Sequence, residues 1–237
     1  MNDITTLIDN HAYVIPIAFV LIAVSIMVIT FYYSSKNVII REFKKSRKKS
    51  INSIRDNEYA KVVGIAKHAN LPLIAPLSGR ACVYYHVVVE VKTDKNWRRI
   101  INDVKTQDFF IETNTEMAIV KASTTQKNAS KCFLVKDYKK NTGFGNDAPE
   151  KIEAYLRANR KKSTSVFGLN KTIRYYEGVI EPNEKIGVKG IAKWKVLKQP
   201  IEGYSYSRIL TLEGVSKKEK LLITDEPKAL MRVQNKL

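Results

Sequence analysis

Residues 13–33 read YVIPIAFVLIAVSIMVITFYY, 21 positions without a charge, and no other stretch restricts the chain so severely. About 20 apolar residues in a helix span about 30 Å, the thickness of a bilayer's hydrocarbon core. A buried core helix fits poorly, because no polar face interrupts the run. Tyr13 at one end and Phe31, Tyr32 and Tyr33 at the other match the aromatic belts of membrane interfaces. A cleavable secretory leader needs a basic start and a small-residue cleavage site, and neither occurs here. The expectation is a short tail, 1–12, followed by a single retained transmembrane helix, 13–33.

The flanks set an orientation. Asp3 and Asp9 precede the helix with no Lys or Arg, whereas Lys36, Arg41, Lys44, Lys45, Arg47, Lys48, Lys49 and Arg55 follow it. The positive-inside rule puts the second side in the cytoplasm and the N-terminus outside. This predicts a single-pass protein of the plasma membrane or a cell inner membrane, with the bulk of the chain cytosolic. Within the juxtamembrane segment 34–55, Lys44, Lys45, Arg47, Lys48 and Lys49 are the candidate membrane-surface residues. Each is attracted to anionic lipid by about 1 kcal/mol. Ile39, Ile40 and Phe43 lie among the charges, so the segment is expected to continue as an interfacial helix.

Past residue 55 the pattern changes to short apolar runs between turns. Strands are predicted at 59–67, 81–91, 97–101, 109–112, 116–122 and 131–135, then at 172–180, 186–193, 208–212 and 221–224. One helix interrupts the two groups, with Asp147 as its cap, Pro149 in its first turn, Glu150 completing a capping box, and Ile152, Tyr155 and Leu156 as its apolar stripe. A short second helix is expected over 226–234. Val62-Val63-Gly64-Ile65-Ala66-Lys67 is echoed by Val188-Lys189-Gly190-Ile191-Ala192-Lys193, by duplication or by chance. The glycines suggest bulges or close backbone approaches. The fold class is α+β, mainly antiparallel β: a small barrel-like domain, or two related subdomains over 56–145 and 163–237.

The chemistry available is narrow. Each zinc takes four ligands, and the chain holds only two Cys and three His in all, with no paired ligand spacing. No P-loop and no Gly-x-Ser-x-Gly elbow occurs. No metal site and no cofactor is therefore expected. Cys82 and His86 share a strand face about 13 Å apart, too far for a direct hydrogen bond. A hydrolase using Cys82 or Ser78 is the weakest reading. The formal charge of +18 favours an anionic partner. Three basic-aromatic clusters could serve nucleic acid: Lys95, Trp97, Arg98 and Arg99; Lys136, Tyr138, Lys139 and Lys140; and Arg174, Tyr175 and Tyr176. A nucleic-acid or nucleotide-binding barrel is thus the first alternative.

The segment from Pro76 carries a family resemblance. Pro76-Leu77-Ser78-Gly79-Arg80, Cys82-Val83-Tyr84-Tyr85 and Val87-Val88-Val89-Glu90 resemble the signature of the GIDE family, the "beside a membrane" domain of a membrane-anchored RING ubiquitin ligase and its bacterial relatives. Tyr59–Gly64, then Glu177, Ile180, Pro182 and Val188-Lys189-Gly190, and finally Leu221–Thr224 are similar to its other strands. The resemblance covers about Ile51 to Leu237. Three departures matter: there is no RING, no second apolar segment follows, and Glu112-Thr113-Asn114-Thr115 lacks the glycine of the family's turn. Ubiquitin ligase activity is therefore not expected, and the missing RING suggests a bacterial member. The resemblance implies a non-catalytic, membrane-proximal interaction or sensor module over 56–237 with an unknown protein partner. Pro76, Ser78, Gly79, Arg80 and Tyr84 are its candidate partner-binding residues.

Overall fold

A chain of short apolar strands must pair them with one another, since an unpaired buried backbone group costs as much as a lost hydrogen bond. The computed structural model describes residues 14–231 except 115, 144, 166, 167, 198, 199, 202 and 203. The expected tail 1–12 and Tyr13 lie outside the described residues. Among these, β1 (Tyr59–His68), β6 (Phe109–Thr113), β7 (Glu116–Val120), β12 (Arg208–Glu213) and β11 (Lys185–Val196) form a closed five-stranded barrel, with β11 returning to pair with β1. Every step of the ring is antiparallel except β7 to β12. Strand β13 (Leu221–Thr224) adds to the first half of β11, and β8 (Ser130–Phe133) runs parallel beside it. Val62, Phe109, Ile111, Ile186, Val188 and Leu210 fill the barrel.

A second layer emerges from the barrel's connections. Strands β5 (Trp97–Thr106), β4 (Tyr84–Lys92), β10 (Ile173–Ile180) and β9 (Tyr138–Thr142) form an antiparallel sheet in that order. Its inner face, including Val87, Val89, Ile173 and Tyr175, packs on Ile152 and Leu156 of a helix at Glu150–Ala158. A two-residue hairpin, β2 (Leu73–Ile74) with β3 (Ala81–Cys82), closes one edge of that core.

The chain does not divide into halves at 145–163. Barrel and sheet each draw strands from both sides of that boundary, because a closed barrel needs β11 and β12 to complete the ring begun by β1, β6 and β7. The echo is likewise not a pair of equivalent strands. Val62 faces Val188 and Gly64 faces Ile186, so its two copies are antiparallel neighbours in one barrel. Gly64 does mark a close approach: a Cβ there would collide with the Glu112 carbonyl.

The expected strand 81–91 is broken at Val83. Its N–H donates to the Ile180 carbonyl (2.9 Å) and its carbonyl accepts from Gln107 (3.1 Å). Val83 and Tyr84 therefore enter the barrel core, whereas Cys82 and Tyr85 stay in the sheet core. Asp147 is not the helix cap, because its carboxylate is engaged by Asn170, and Pro149 occupies the N-cap without a side-chain bond. The C-terminal helix covers Pro227–Leu230, and residues 232–234 of the expected range lie outside the described residues.

At the N-terminal end, α1 (Val14–Tyr32) is a 19-residue helix, followed by α2 (Ser35–Lys45). No single helix among the described residues is long and apolar enough to cross a membrane. Pro16–Tyr32 and Ser35–Lys45, bent by 56°, reach that length and composition together. The break is fastened: Asn37 donates to the Phe31 carbonyl (2.8 Å), and Arg41 donates to that of Tyr32 (2.8 Å) while lying over its ring.

The expectation that 34–55 continues as an interfacial helix is corrected: the helix forms at Ser35–Lys45, with its apolar residues turned to the protein. Ile39 and Phe43 are fully buried against Leu222 and Ala229. A barrel surface is available to this apolar stripe within the same chain, so it is covered without lipid. Gly187 makes the docking feasible, since a Cβ there would run into the Phe43 ring.

Candidate functional site

The segment from Pro76 to Arg80 turns back on itself. Gly79 has φ +79° and donates to the Ala75 carbonyl (2.9 Å), while Ala75 donates to that of Arg80 (2.9 Å). Only a residue without Cβ adopts that backbone easily. The turn is pinned from the sheet by Glu177 of β10, a fully buried carboxylate that accepts from the N–H of Leu77 (2.7 Å) and of Ser78 (2.9 Å). The Ser78 hydroxyl accepts from Arg80 Nε (3.1 Å), so it is an internal brace of the turn.

Arg80 is the centre of an acidic group. Its guanidinium donates to Asp137 (2.5 Å) and Glu181 (2.6 Å), and the Asp137 bond leads the effects that raise its pKa. Two more carboxyls stand close by. Glu184 accepts from the Glu181 N–H (2.9 Å), and Asp225 accepts from the Val135 N–H (2.9 Å). Burial, reinforced by the surrounding carboxylates, pushes Glu184 up to about 7 and Asp225 up to about 6. Among the described residues no group of three His, Cys, Asp or Glu could hold a metal ion.

Tyr84 does not join this loop. It turns to the opposite side of the strand, beside Cys132, and burial pushes both groups far above their ordinary values. Both line a cavity of about 520 Å³ between barrel and sheet, together with Asn102, Thr106, Lys127 and Lys131. Cys82 is fully buried and its thiol is pushed up to about 11, by burial first and then by Glu177. His86 hydrogen-bonds Asn102 (2.8 Å) instead. Both cysteines are free. Among the described residues no hydrogen bond joins the Cys82 thiol or the Ser78 hydroxyl to a histidine or a carboxylate.

The three basic-aromatic clusters meet on the outer face of the four-stranded sheet. The Arg174 guanidinium lies 4.1 Å from the Trp97 ring centre and 5.6 Å from that of Tyr176, and Lys136 covers Tyr176 at 4.5 Å. Glu90, across the strand pair from both Arg174 and Arg99, binds Arg174 at 2.7 Å and lies 3.9 Å from Arg99. Lys139 pairs in register with Tyr176. Tyr175 and Tyr138 point the other way, into the sheet core. Strand alternation selects these members from each cluster. Their meeting depends on β4, β5, β9 and β10 becoming neighbours, which residue spacing does not encode.

The candidate membrane-surface residues Lys44, Lys45, Arg47, Lys48 and Lys49 are all exposed at and after the end of α2. Lys49 is engaged by Glu58 (2.5 Å) and Lys45 by Glu42 (3.2 Å). No family model matches the chain, and neither any curated protein nor any solved structure does.

Proposed function

We propose that this protein is a single-pass, membrane-anchored binding module without catalytic activity. In this reading α1 lies in the bilayer, and barrel and sheet are held at its cytoplasmic face. One observation carries the proposal: every side chain from Pro16 to Tyr33 is exposed, although the run holds no charge. Such a surface is stable in hydrocarbon and costly in water. α1 rises about 28 Å, and with α2 across the 56° bend the pair reaches the length and composition of a span. The fastened break after Tyr32 and the docking of α2 would then hold the barrel at a set angle to the membrane.

The resemblance to the GIDE family fits a membrane-proximal β module whose partner is another protein. In that reading the turn 76–80 with Arg80 contributes to recognition, while Tyr84 contributes from the separate cavity wall. The test is extraction and topology of the full chain expressed in bacteria. The protein should stay in membranes through alkaline carbonate, and a C-terminal reporter should be cleaved only when protease reaches the cytoplasmic side. Release by carbonate, or cleavage from the outside, would reject the anchor or its orientation respectively.

A further inference from the structure

The positive charge of this protein is not explained by the membrane flank. Residues 1–55 hold eight of its 41 Lys and Arg and three of its 23 Asp and Glu, so residues 56–237 carry 33 against 20. On the outer face of the four-stranded sheet that excess is concentrated. Arg99, Arg174, Lys136 and Lys139 gather around a single carboxylate, Glu90. Burial holds the Lys136 ammonium below its usual value, and among the neighbouring charges Arg99, Lys139 and Arg174 depress it further while Glu90 opposes. A cation crowded by other cations is relieved by an anion brought from outside. The aromatic members add flat surfaces: Trp97 remains 36 % exposed even with Arg174 stacked against it.

We propose that this face binds single-stranded nucleic acid, with Trp97 and the Arg174 guanidinium as stacking planes and Arg99, Lys136 and Lys139 as phosphate partners. Four strands about 4.8 Å apart make a platform about 14 Å wide, room for two or three nucleotides. Stacking on aromatic rings and guanidinium planes, with lysines tracking the backbone, is how single strands are held without sequence preference. A lipid surface fits less well. Val88, the aliphatic residue beneath the cluster, is only 2 % exposed, and the exposed Trp97 ring is stacked by Arg174 rather than set in a continuous apolar face.

The experiment uses the full chain in uncharged detergent, with a fluorescent 15-nucleotide oligothymidylate or oligouridylate read by anisotropy. Three phosphate contacts give a slope of about −2.1 in log affinity against log salt, so binding should weaken about 20-fold between 50 and 200 mM salt. Trp97→Ala should weaken it about 5- to 100-fold. Lys139→Glu should weaken it at 50 mM and flatten the salt slope; this residue is exposed, so folding is not at stake. A duplex of the same length should bind less tightly than the single strand. Absence of binding at 50 mM salt overturns the proposal. So does Trp97→Ala binding as wild type, which would reduce the face to unspecific charge. Loss of binding to anionic vesicles by the two variants, without oligonucleotide binding, would assign the face to lipid and also reject it. None of these readouts depends on α1 being membrane-embedded, so carbonate extraction and oligonucleotide binding can fail separately.

Discussion

Glu177 shows how one side chain can organise a loop far from it in sequence. A fully buried carboxylate is tolerated only when its charge is hydrogen-bonded, and here two main-chain N–H groups a hundred residues away supply the bonds. Glu177→Gln turns an amide donor toward one of those N–H groups and leaves it unpaired. The expected loss is about 1–3 kcal/mol of stability, measured by urea denaturation, with faster amide exchange across 75–80. A variant as stable as wild type would show that the turn holds itself. Cys82 carries the second prediction at this scale. A buried thiol raised to about 11 is nearly all protonated at neutral pH and shielded from reagents. Alkylation of Cys82 at pH 7 should therefore proceed only after unfolding, and rapid labelling of the native protein would contradict its burial. The Ser78-Gly79 turn was legible in the sequence from turn chemistry. Its clamp was not, because nothing local to Pro76 points to β10.

At the scale of elements, α2 is held by two buried lysines. Lys61 and Lys189 face each other across β1 and β11, only 3 % and 4 % exposed. Lys61 donates to the carbonyls of Phe43 (2.9 Å) and Ala229 (3.2 Å), tying α2 to the C-terminal helix, and Lys189 binds Glu42 (3.2 Å). A cation at a helix C-terminus meets the negative end of the dipole. Gly187→Ala would force Phe43 aside, at about 1–3 kcal/mol. Limited proteolysis should then cut within 34–55 faster than in wild type; equal rates would mean that the helix adapts.

The acidic group beside Arg80 belongs to this scale as well. Glu184 and Asp225 have folded pKa values raised to about 7 and about 6. The folded state therefore holds protons that the unfolded state has released. Their stabilisation is present at low pH and lost as pH rises, between about 4.5 and 7 for Glu184 and about 4 and 6 for Asp225. Glu184→Gln keeps the acceptor for the Glu181 N–H and should flatten the dependence of Tm on pH across 5–7. An unchanged profile would show that Glu184 does not titrate there.

For the whole molecule, net charge and the exposed basic end of α2 act together. If the barrel sits on the membrane, Lys44, Arg47 and Lys48 lie within reach of anionic headgroups, each worth about 1 kcal/mol. Replacing all three by Ala should weaken binding to anionic vesicles about 100-fold at low salt, with little effect at high salt. The readout is vesicle co-sedimentation of a chain from which α1 has been removed, once circular dichroism shows that this chain folds. Loss of affinity confined to Trp97→Ala and Lys139→Glu would instead move the lipid contact to the sheet face.

The apolar run of 13–33, the basic flank, most strand positions and the turn at Ser78-Gly79 are written in local composition and periodicity, so sequence alone determines them. Which strands become neighbours is decided by long-range closure. That closure sets the echo strands against each other, splits the strand at Val83 and turns α2 onto the barrel. It also gathers Trp97, Lys136 and Arg174 from three distant segments onto one face. Side-chain alternation fixes the face each residue takes along its own strand, whereas only the packing of barrel against sheet decides what that face meets.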